Sequence, residues 1–433
     1  MEKKDENFLK VSLGEDEENI PNEKPENIEI ELYKIKLYNQ RKIKQTFIYI
    51  IIFIIIFSII SNNFPKENSY YKTRLEKHKS LLKGKKYFEL CMDGVLLNNK
   101  TFIRNENPEI SVVIPVYNSQ DVIKGVIRSI QNQNVTNIEI ILINDLSPDN
   151  TENVIKELQK EDERIVLINN MQNRGTLYSR CIGVLSSKGK YIFTLDNDDL
   201  FYDETVFDEI YKEALKGNFD VVEFKAVQHN NYHINTHYIR YSLYSEHTHN
   251  LVLFQPELSQ YSRKRDGEFG VYDCFLWGKI IKTEKYKKTV NTIGENVYSY
   301  KIIWGEDLIT SFVLFRTIES FKFTGKHGIF RYDNTKTATF TTPNKYLYGS
   351  LVVYLDLVFN MTNNDIEDKK YVTFAALYYF DSKNTITCLS EDNIKYLNSI
   401  LNKIIKCEYI LDNDKKLLRK HFKKFVNVGI KLD

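Results

Sequence analysis

The sequence predicts an α/β fold: an open, mostly parallel central sheet flanked by helices, with an N-terminal transmembrane helix ahead of it and a C-terminal helical extension behind. Three observations predict it. Ser111 to Val116, Ile138 to Ile143 and Tyr191 to Leu195 are short, β-branched runs nearly free of charge, the pattern of strands buried on both faces of a parallel sheet. Helical stretches separate them, and each run ends in polar residues. A single uncharged run, FIYIIIFIIIFSII from Phe47 to Ile60, stands apart from these and has no polar face at either helical or strand period.

At 433 residues the chain can hold one large or two ordinary domains. Its formal charge of +2 argues against a nucleic-acid binder, which would need a basic stripe. Residues 1–45 read as a cytosolic tail, disordered where Glu, Asp, Asn and Lys crowd out apolar residues. Residues 46–61 read as the membrane anchor. This run of about 16 residues lies at the short end of a bilayer span, so a buried core segment is the alternative. Lys34, Lys36, Arg41, Lys42 and Lys44 crowd its N-terminal side while Lys66 and Glu67 nearly cancel on the other. That asymmetry predicts a single-pass type II orientation with everything downstream lumenal. The long polar leader argues against a cleaved signal peptide, and the short span suits the thinner membranes of the endoplasmic reticulum or Golgi.

Residues 62–107 read as a stem that provides spacing, 108–332 as the main α/β domain, and 333–433 as appended helices, from apolar spacing in LYGSLVVYLDLVF and NIKYLNSILNKII. Cys91, Cys181, Cys274, Cys388 and Cys407 are scattered with no CxxC pair, so neither a zinc site nor a disulfide pattern is legible. Asn99, Asn134 and Asn360 head sequons that would be glycosylation candidates in a lumen.

In open α/β sheets the ligand sits outside the carboxyl ends of the strands. Those ends carry Tyr117 and Asn118, Asn144 and Asp145, and Asp196, Asn197, Asp198 and Asp199. Three carboxylates within four positions repel one another, and a hard divalent cation shared with substrate phosphates is the natural compensation; the plain alternative is a solvated acidic turn. Asp145 comes too early to cap the helix from Thr151, and suits a ribose hydroxyl or a base imide. Pro115, Tyr117 and Asn118 offer a rigid turn and an aromatic face. Gly175 suggests a close backbone approach, and Arg180 on the following helix can fork onto a diphosphate or serve as an ordinary ion-pair partner. Gly305, Glu306 and Asp307 lead into an apolar helix, where acids are favoured by the helix dipole. Transfer of a group to a hydroxyl also needs a carboxylate, separate from metal ligands, to take the acceptor proton.

PVYN at 115–118, NDLSPD at 144–149, NRGTLYSRCIG at 173–183, DNDD at 196–199 and GED at 305–307, in this order, resemble the family-two glycosyltransferases. The resemblance spans about residues 110–332 and implies the GT-A type of Rossmann-like sheet. It also implies inverting transfer of a hexosyl or N-acetylhexosaminyl unit from a nucleotide diphosphate sugar, usually a UDP-sugar, helped by Mn2+ or Mg2+. It implies that Pro115, Tyr117, Asn118 and Asp145 hold the uridine and that Asn173, Gly175 and Arg180 line the nucleotide cleft. Asp196 would contact ribose or metal, Asp198 would bind the metal, and Asp307 would be the base with Glu306 beside it. Asp199, Trp277 and Lys279 would face the acceptor, a glycan, protein or lipid.

The sequence departs from the family pattern at Ser119, Gln120, Leu146 and Cys181, which blurs the donor side more than the metal or the base. No QxxRW follows the GED segment, where RYDNTKTATF stands instead, which argues against a processive polymer synthase. No GxGxxG follows any strand, which argues against a dinucleotide-dependent oxidoreductase. A catalytically silent relative that binds nucleotide or glycan as a scaffold is the alternative function.

Overall fold

The computed structural model describes residues 79, 82–97, 101–229, 251–255, 264–265, 268–269, 275–332, 344–362, 366–381 and 383–432. The expected tail, the anchor at 46–61 and the first part of the stem lie outside the described residues. Among those described, no helix is long and apolar enough to cross a membrane. The chain divides into residues 1–76 and 77–433, and every described residue belongs to the second unit.

Four parallel strands make the first half of the sheet: β1 (Ile110–Val116), β2 (Ile138–Asn144), β3 (Ile165–Asn169) and β4 (Tyr191–Thr194), in the order β3-β2-β1-β4. β1 and β2 are buried along their whole length, which is why they read as unbroken apolar runs. Helices α1 (Ile123–Gln131), α2 (Thr151–Glu161) and α3 (Thr176–Ser186) make the crossovers. The chain leaves β1 for β2 on one side and returns for β4 on the other, so the topological switch lies at the carboxyl ends of β1 and β4.

Beyond β4 the sheet continues through strands that carry no comparable signal. β5 (Leu200–Phe201) is followed by α4 (Val206–Lys216), β6 (Val221–His229) and β7 (Val252–Phe254). A two-residue ribbon, β8 (Lys264–Arg265) and β9 (Glu268–Phe269), stands apart from the sheet. β10 (Lys279–Lys282) runs antiparallel between β4 and β6, and β11 (Ser320–Tyr332) lies parallel to β6 and antiparallel to β5 and β7. The mixed sheet has nine strands among the described residues.

Alternate side chains of each strand point to opposite faces, and two cores result. Val113, Ile141, Ile143 and Ile192 belong to one, and Val112, Ile114, Ile140, Leu142 and Phe193 to the other. Fully burying one such side chain contributes roughly 1.5–3 kcal/mol. The first core is shared with α5 (Thr283–Ile293), α7 (Glu306–Thr317) and the helices of the C-terminal extension, Asn344–Asn360, Ile366–Tyr379, Glu391–Lys406 and Asp412–Phe422. Between α5 and α7 lies the single turn α6 (Glu295–Tyr298). The extension is therefore one body with the sheet: Leu351, Leu355, Leu397 and Phe422 join the same buried cluster as Val113 and Ile192.

The latter part of the expected stem differs from a spacer. Residues 82–92 form a helix whose Tyr87 and Cys91 are buried in the second core. The Tyr87 hydroxyl donates to the Ser129 carbonyl at 3.2 Å, and Lys83 pairs with Asp203 at 2.6 Å. Periodic charge in this stretch suggests a solvated helix; the apolar positions that dock it are too few to announce themselves. Cys91, Cys181, Cys388 and Cys407 are free thiols, while Cys274 and Asn99 lie outside the described residues.

Candidate active site

The register brings three strand tips level. Val116 pairs with Asn144 and Asn144 with Asn169, and the ladder runs one residue further through the Asp145 N–H to the Val116 carbonyl and the Asn170 N–H to the Asn144 carbonyl, both 2.9 Å. Pro115 is buried within β1 opposite Ile143, so it shapes the exit of the strand. Tyr117 and Asn118 are exposed just beyond it. Asn118 and Leu146 adopt left-handed backbone (φ 54 and 58), tolerable for asparagine and costly for leucine, by roughly 1–2 kcal/mol. The loops after β1 and β2 are stapled together: Ser119 N–H donates to Thr151 Oγ1 at 2.8 Å, Gln120 N–H to Asp149 Oδ2 at 3.1 Å, and Asn150 N–H to Gln120 Oε1 at 2.9 Å. Asn197 donates from its amide to the Ser119 hydroxyl, tying the acid turn to the same staple.

Asp145 is buried and its carboxylate is a hub. It accepts from Asn170 Nδ2 (2.8 Å), the Arg174 N–H (2.8 Å) and the Gly175 N–H (2.7 Å), while Asn173 Nδ2 donates to its carbonyl at 3.2 Å. The carboxylate expected to hold uridine thus also organises the loop 170–175. Gly175 has φ +87, and a Cβ there would lie 2.5 Å from the Ile302 carbonyl oxygen. The close approach expected at Gly175 is made by the chain's own backbone. Leu177 N–H donates to that same Ile302 oxygen at 3.2 Å, which joins the loop 170–175 to the segment leading into α7.

The turn after β4 carries Asp196 and Asp198, both partly exposed, and Asp199, 1% exposed. Asp199 pairs with Arg331 at 3.2 Å. The β5–β11 register, Phe330 opposite Leu200, makes this pair the next rung of the ladder. Burial drives the Asp199 carboxyl above its ordinary range and Arg331 opposes it. The Arg331 guanidinium lies 4.9 Å from the centre of the Trp277 ring. Trp277 and Lys279 are both buried; Lys279 donates to the Phe275 carbonyl at 2.6 Å and pairs with Glu223 at 3.0 Å. Of the residues expected on the acceptor side, Asp199 and Trp277 thus meet Arg331 beside the acid turn, while Lys279 sits inside strand β10 and pairs with Glu223. Arg331 carries no signal in the sequence, because its partner is set by a strand pairing across more than a hundred residues.

Arg180 ties the acid turn to the GED segment. It is buried on α3, and its Nη2 donates to Asp196 Oδ1 at 3.1 Å and Glu306 Oε1 at 3.3 Å. Its Nε and Nη1 have no hydrogen-bond partner among the described residues. Gly305 starts α7 in the left-handed region (φ 79), and Glu306 and Asp307 occupy the first turn. There the helix dipole favours negative charge, and burial disfavours it. Burial wins: Glu306 is pushed up to about 8, with Asp307 adding to the rise and Arg180 opposing it. Asp307 is pushed up to about 6 by burial, with Arg180 opposing and Asp196 adding. Asp307 Oδ1 is buried with no hydrogen-bond partner among the described residues.

Among the described residues no three His, Cys, Asp or Glu side chains converge as metal ligands. Asp196 and Asp198 supply two carboxylates from one turn. That donor set suits a cation completed by substrate phosphates, as magnesium and manganese sites commonly are. The structure thus joins Asp145, Asn173 and Gly175 in one network and Arg180, Asp196, Glu306 and Asp307 in another, with the Gly175–Ile302 contact between them.

Such an arrangement gathers acidic residues at the topological switch point of an open α/β sheet, where ligands of such sheets bind. Residues 111–289 match the family model described as Glycosyl transferase family 2. It is 33% identical over 115 residues to the uncharacterized glycosyltransferase EpsJ of Bacillus subtilis, covering 27% of this chain and 33% of that protein. It is 37% identical over 93 residues to the GalNAc(5)-diNAcBac-PP-undecaprenol beta-1,3-glucosyltransferase of Campylobacter jejuni, covering 21% and 30%. The alignments thus span about a third of the length of these curated relatives. S. aureus TarS 1–349, solved in complex with UDP-GlcNAc, shares the fold with TM-score 0.54 at 14% identity, covering 74% of this chain and 89% of that one.

Proposed function

We propose that this chain transfers a single sugar from a UDP-sugar to an acceptor hydroxyl on a glycan, protein or lipid, with inversion at the anomeric carbon. The observation that carries the reading is Asp307: a carboxylate with one unpartnered oxygen, pushed up to about 6, at the start of a helix tied through Glu306 and Arg180 to the acid turn. A group titrating near neutral pH is suited to take a proton from a hydroxyl as that oxygen attacks. Glu306, pushed up to about 8, holds a proton at neutral pH and leaves the charge of the pair on Asp307. Arg180 balances that charge. Tyr117, Asn118 and the loop organised by Asp145 form the rim for the nucleotide. Asp196 and Asp198 would hold Mn2+ or Mg2+, which would neutralise charge on the departing diphosphate. The UDP-GlcNAc in the TarS complex supports a nucleotide-sugar donor. The apolar run at 46–61 supports a type II membrane anchor in the endoplasmic reticulum or Golgi.

The test is a screen of UDP-sugars for UDP release with manganese, with and without acceptors, using the full chain. Release that depends on both acceptor and metal is expected. Tight UDP binding with no release from any sugar would instead indicate a silent nucleotide-binding scaffold.

A further inference from the structure

Helix 82–92 precedes the segment that matches the family model, yet it packs directly behind the acid turn. Its residues meet Phe330 of β11 and the two residues that follow β5, Tyr202 and Asp203. A Cβ on Gly84 would lie 2.7 Å from Tyr202 Cε2 and 2.8 Å from Phe330 Cδ2. The Phe88 and Phe330 rings are 5.4 Å apart, and Lys83 pairs with Asp203 at 2.6 Å while lying over the Tyr202 ring. Asp203 in turn accepts from the Thr205 N–H and hydroxyl at 2.9 and 2.7 Å, starting α4. Phe330 is adjacent to a site residue in sequence, and Tyr202 and Asp203 lie three and four residues from one. Tyr202 and Asp203 follow Asp199, and Phe330 precedes Arg331. Side chains alternate along a strand, so a β11 that sends Phe330 to the helix sends Arg331 to the opposite face, where it meets Asp199 and Trp277.

We infer that Lys83 and Gly84 are positioning residues: the helix holds the β5–β11 ribbon from behind and thereby fixes the Asp199–Arg331 pair beside the acid turn. Gly84 matters because the two rings occupy the space that any side chain would need. The nucleotide-side loop 170–175 takes no part in these contacts. This inference rests on the proposed transferase reading only for its kinetic consequence.

The test is Gly84→Leu in the full chain, followed in two ways. The sequence has two tryptophans, Trp277 and Trp304, so in a Trp304→Phe background the emission of Trp277 reports its contact with Arg331. Gly84→Leu is expected to shift that emission. In the otherwise native chain it is expected to lower kcat by about tenfold or more, since misplacement near 1 Å can cost about a hundredfold, while UDP affinity stays within about twofold. Gly84→Ala combined with Phe330→Leu, which returns the space, is expected to recover kcat relative to Gly84→Ala alone. Unchanged Trp277 emission together with unchanged kcat would overturn the inference, as would equal loss of kcat and UDP affinity without recovery in the double variant. If the emission shifts but the parent chain transfers no sugar, the inference stands and the transferase reading falls.

Discussion

Replacing Asp307 with asparagine separates function from stability, because the two should move in opposite directions. The Asp307 carboxyl is pushed from an ordinary 3.8 to about 6 by burial, with Asp196 adding to a rise that Arg180 opposes. Each pKa unit is about 1.4 kcal/mol, so the ionised side chain costs the fold on the order of 2–3 kcal/mol at neutral pH. The folded state binds more protons than the unfolded state between those two values, so this contribution makes stability fall as pH rises through the window and stay low above it. The substituted amide is nearly isosteric with the carboxylate and carries no charge. Denaturant unfolding of Asp307→Asn should therefore match the parent near about pH 4 and exceed it by on the order of 2 kcal/mol above about pH 7. Transfer should fall by about 10²–10⁴-fold, the usual worth of a positioned base, while calorimetric UDP affinity is retained. The parent's kcat/KM should rise with pH through a group titrating near 6. A variant that keeps normal turnover would refute the base assignment, and one that is less stable than the parent at neutral pH would refute the burial argument.

Three further outcomes follow from the same site. Chelation should abolish transfer, and Asp198→Ala should raise the manganese concentration needed for half-maximal rate; undiminished activity of Asp198→Ala in metal-free buffer would exclude the cation. Asp145→Asn puts an amide NH2 in place of one carboxylate oxygen, against either the Gly175 N–H or, in the flipped rotamer, the Arg174 N–H and Asn170 Nδ2, and should cost roughly 2–3 kcal/mol, from hydrogen bonds to a charged group worth about 1.5–3 kcal/mol each. Urea unfolding and UDP titration together measure that cost. Gly175→Ala combines a positive φ with a Cβ 2.5 Å from the Ile302 oxygen, and should lower both stability and UDP affinity; a variant with parental values in both would show that the seam yields easily.

The parallel half of the fold is legible because β1, β2 and β4 are buried on both faces, which leaves continuous apolar runs ending in polar tips. The antiparallel half is not. β10 has four residues, one of them Lys279, and reads as a loop until its two neighbours are known. The acids can be found from chemistry alone, but their partners cannot: Arg331 reaches Asp199 only through the β5–β11 register. Gly175 stands out in the sequence as a place of close approach, and the visitor is main chain where a ligand is expected. The helix 82–92 reads as a spacer because its docking depends on a missing side chain, Gly84, and absences leave no periodicity.

The seam at Gly175 and Ile302 is built from main chain on both sides: a glycine with no side chain, one carbonyl oxygen and the Leu177 N–H that it receives. Peptide atoms are common to all residues, so the joint itself uses no atom of the Ile302 side chain, which is buried in the first core instead. The spacing between the loop 170–175 and the start of the Glu306–Thr317 helix is thus set by atoms that every residue carries.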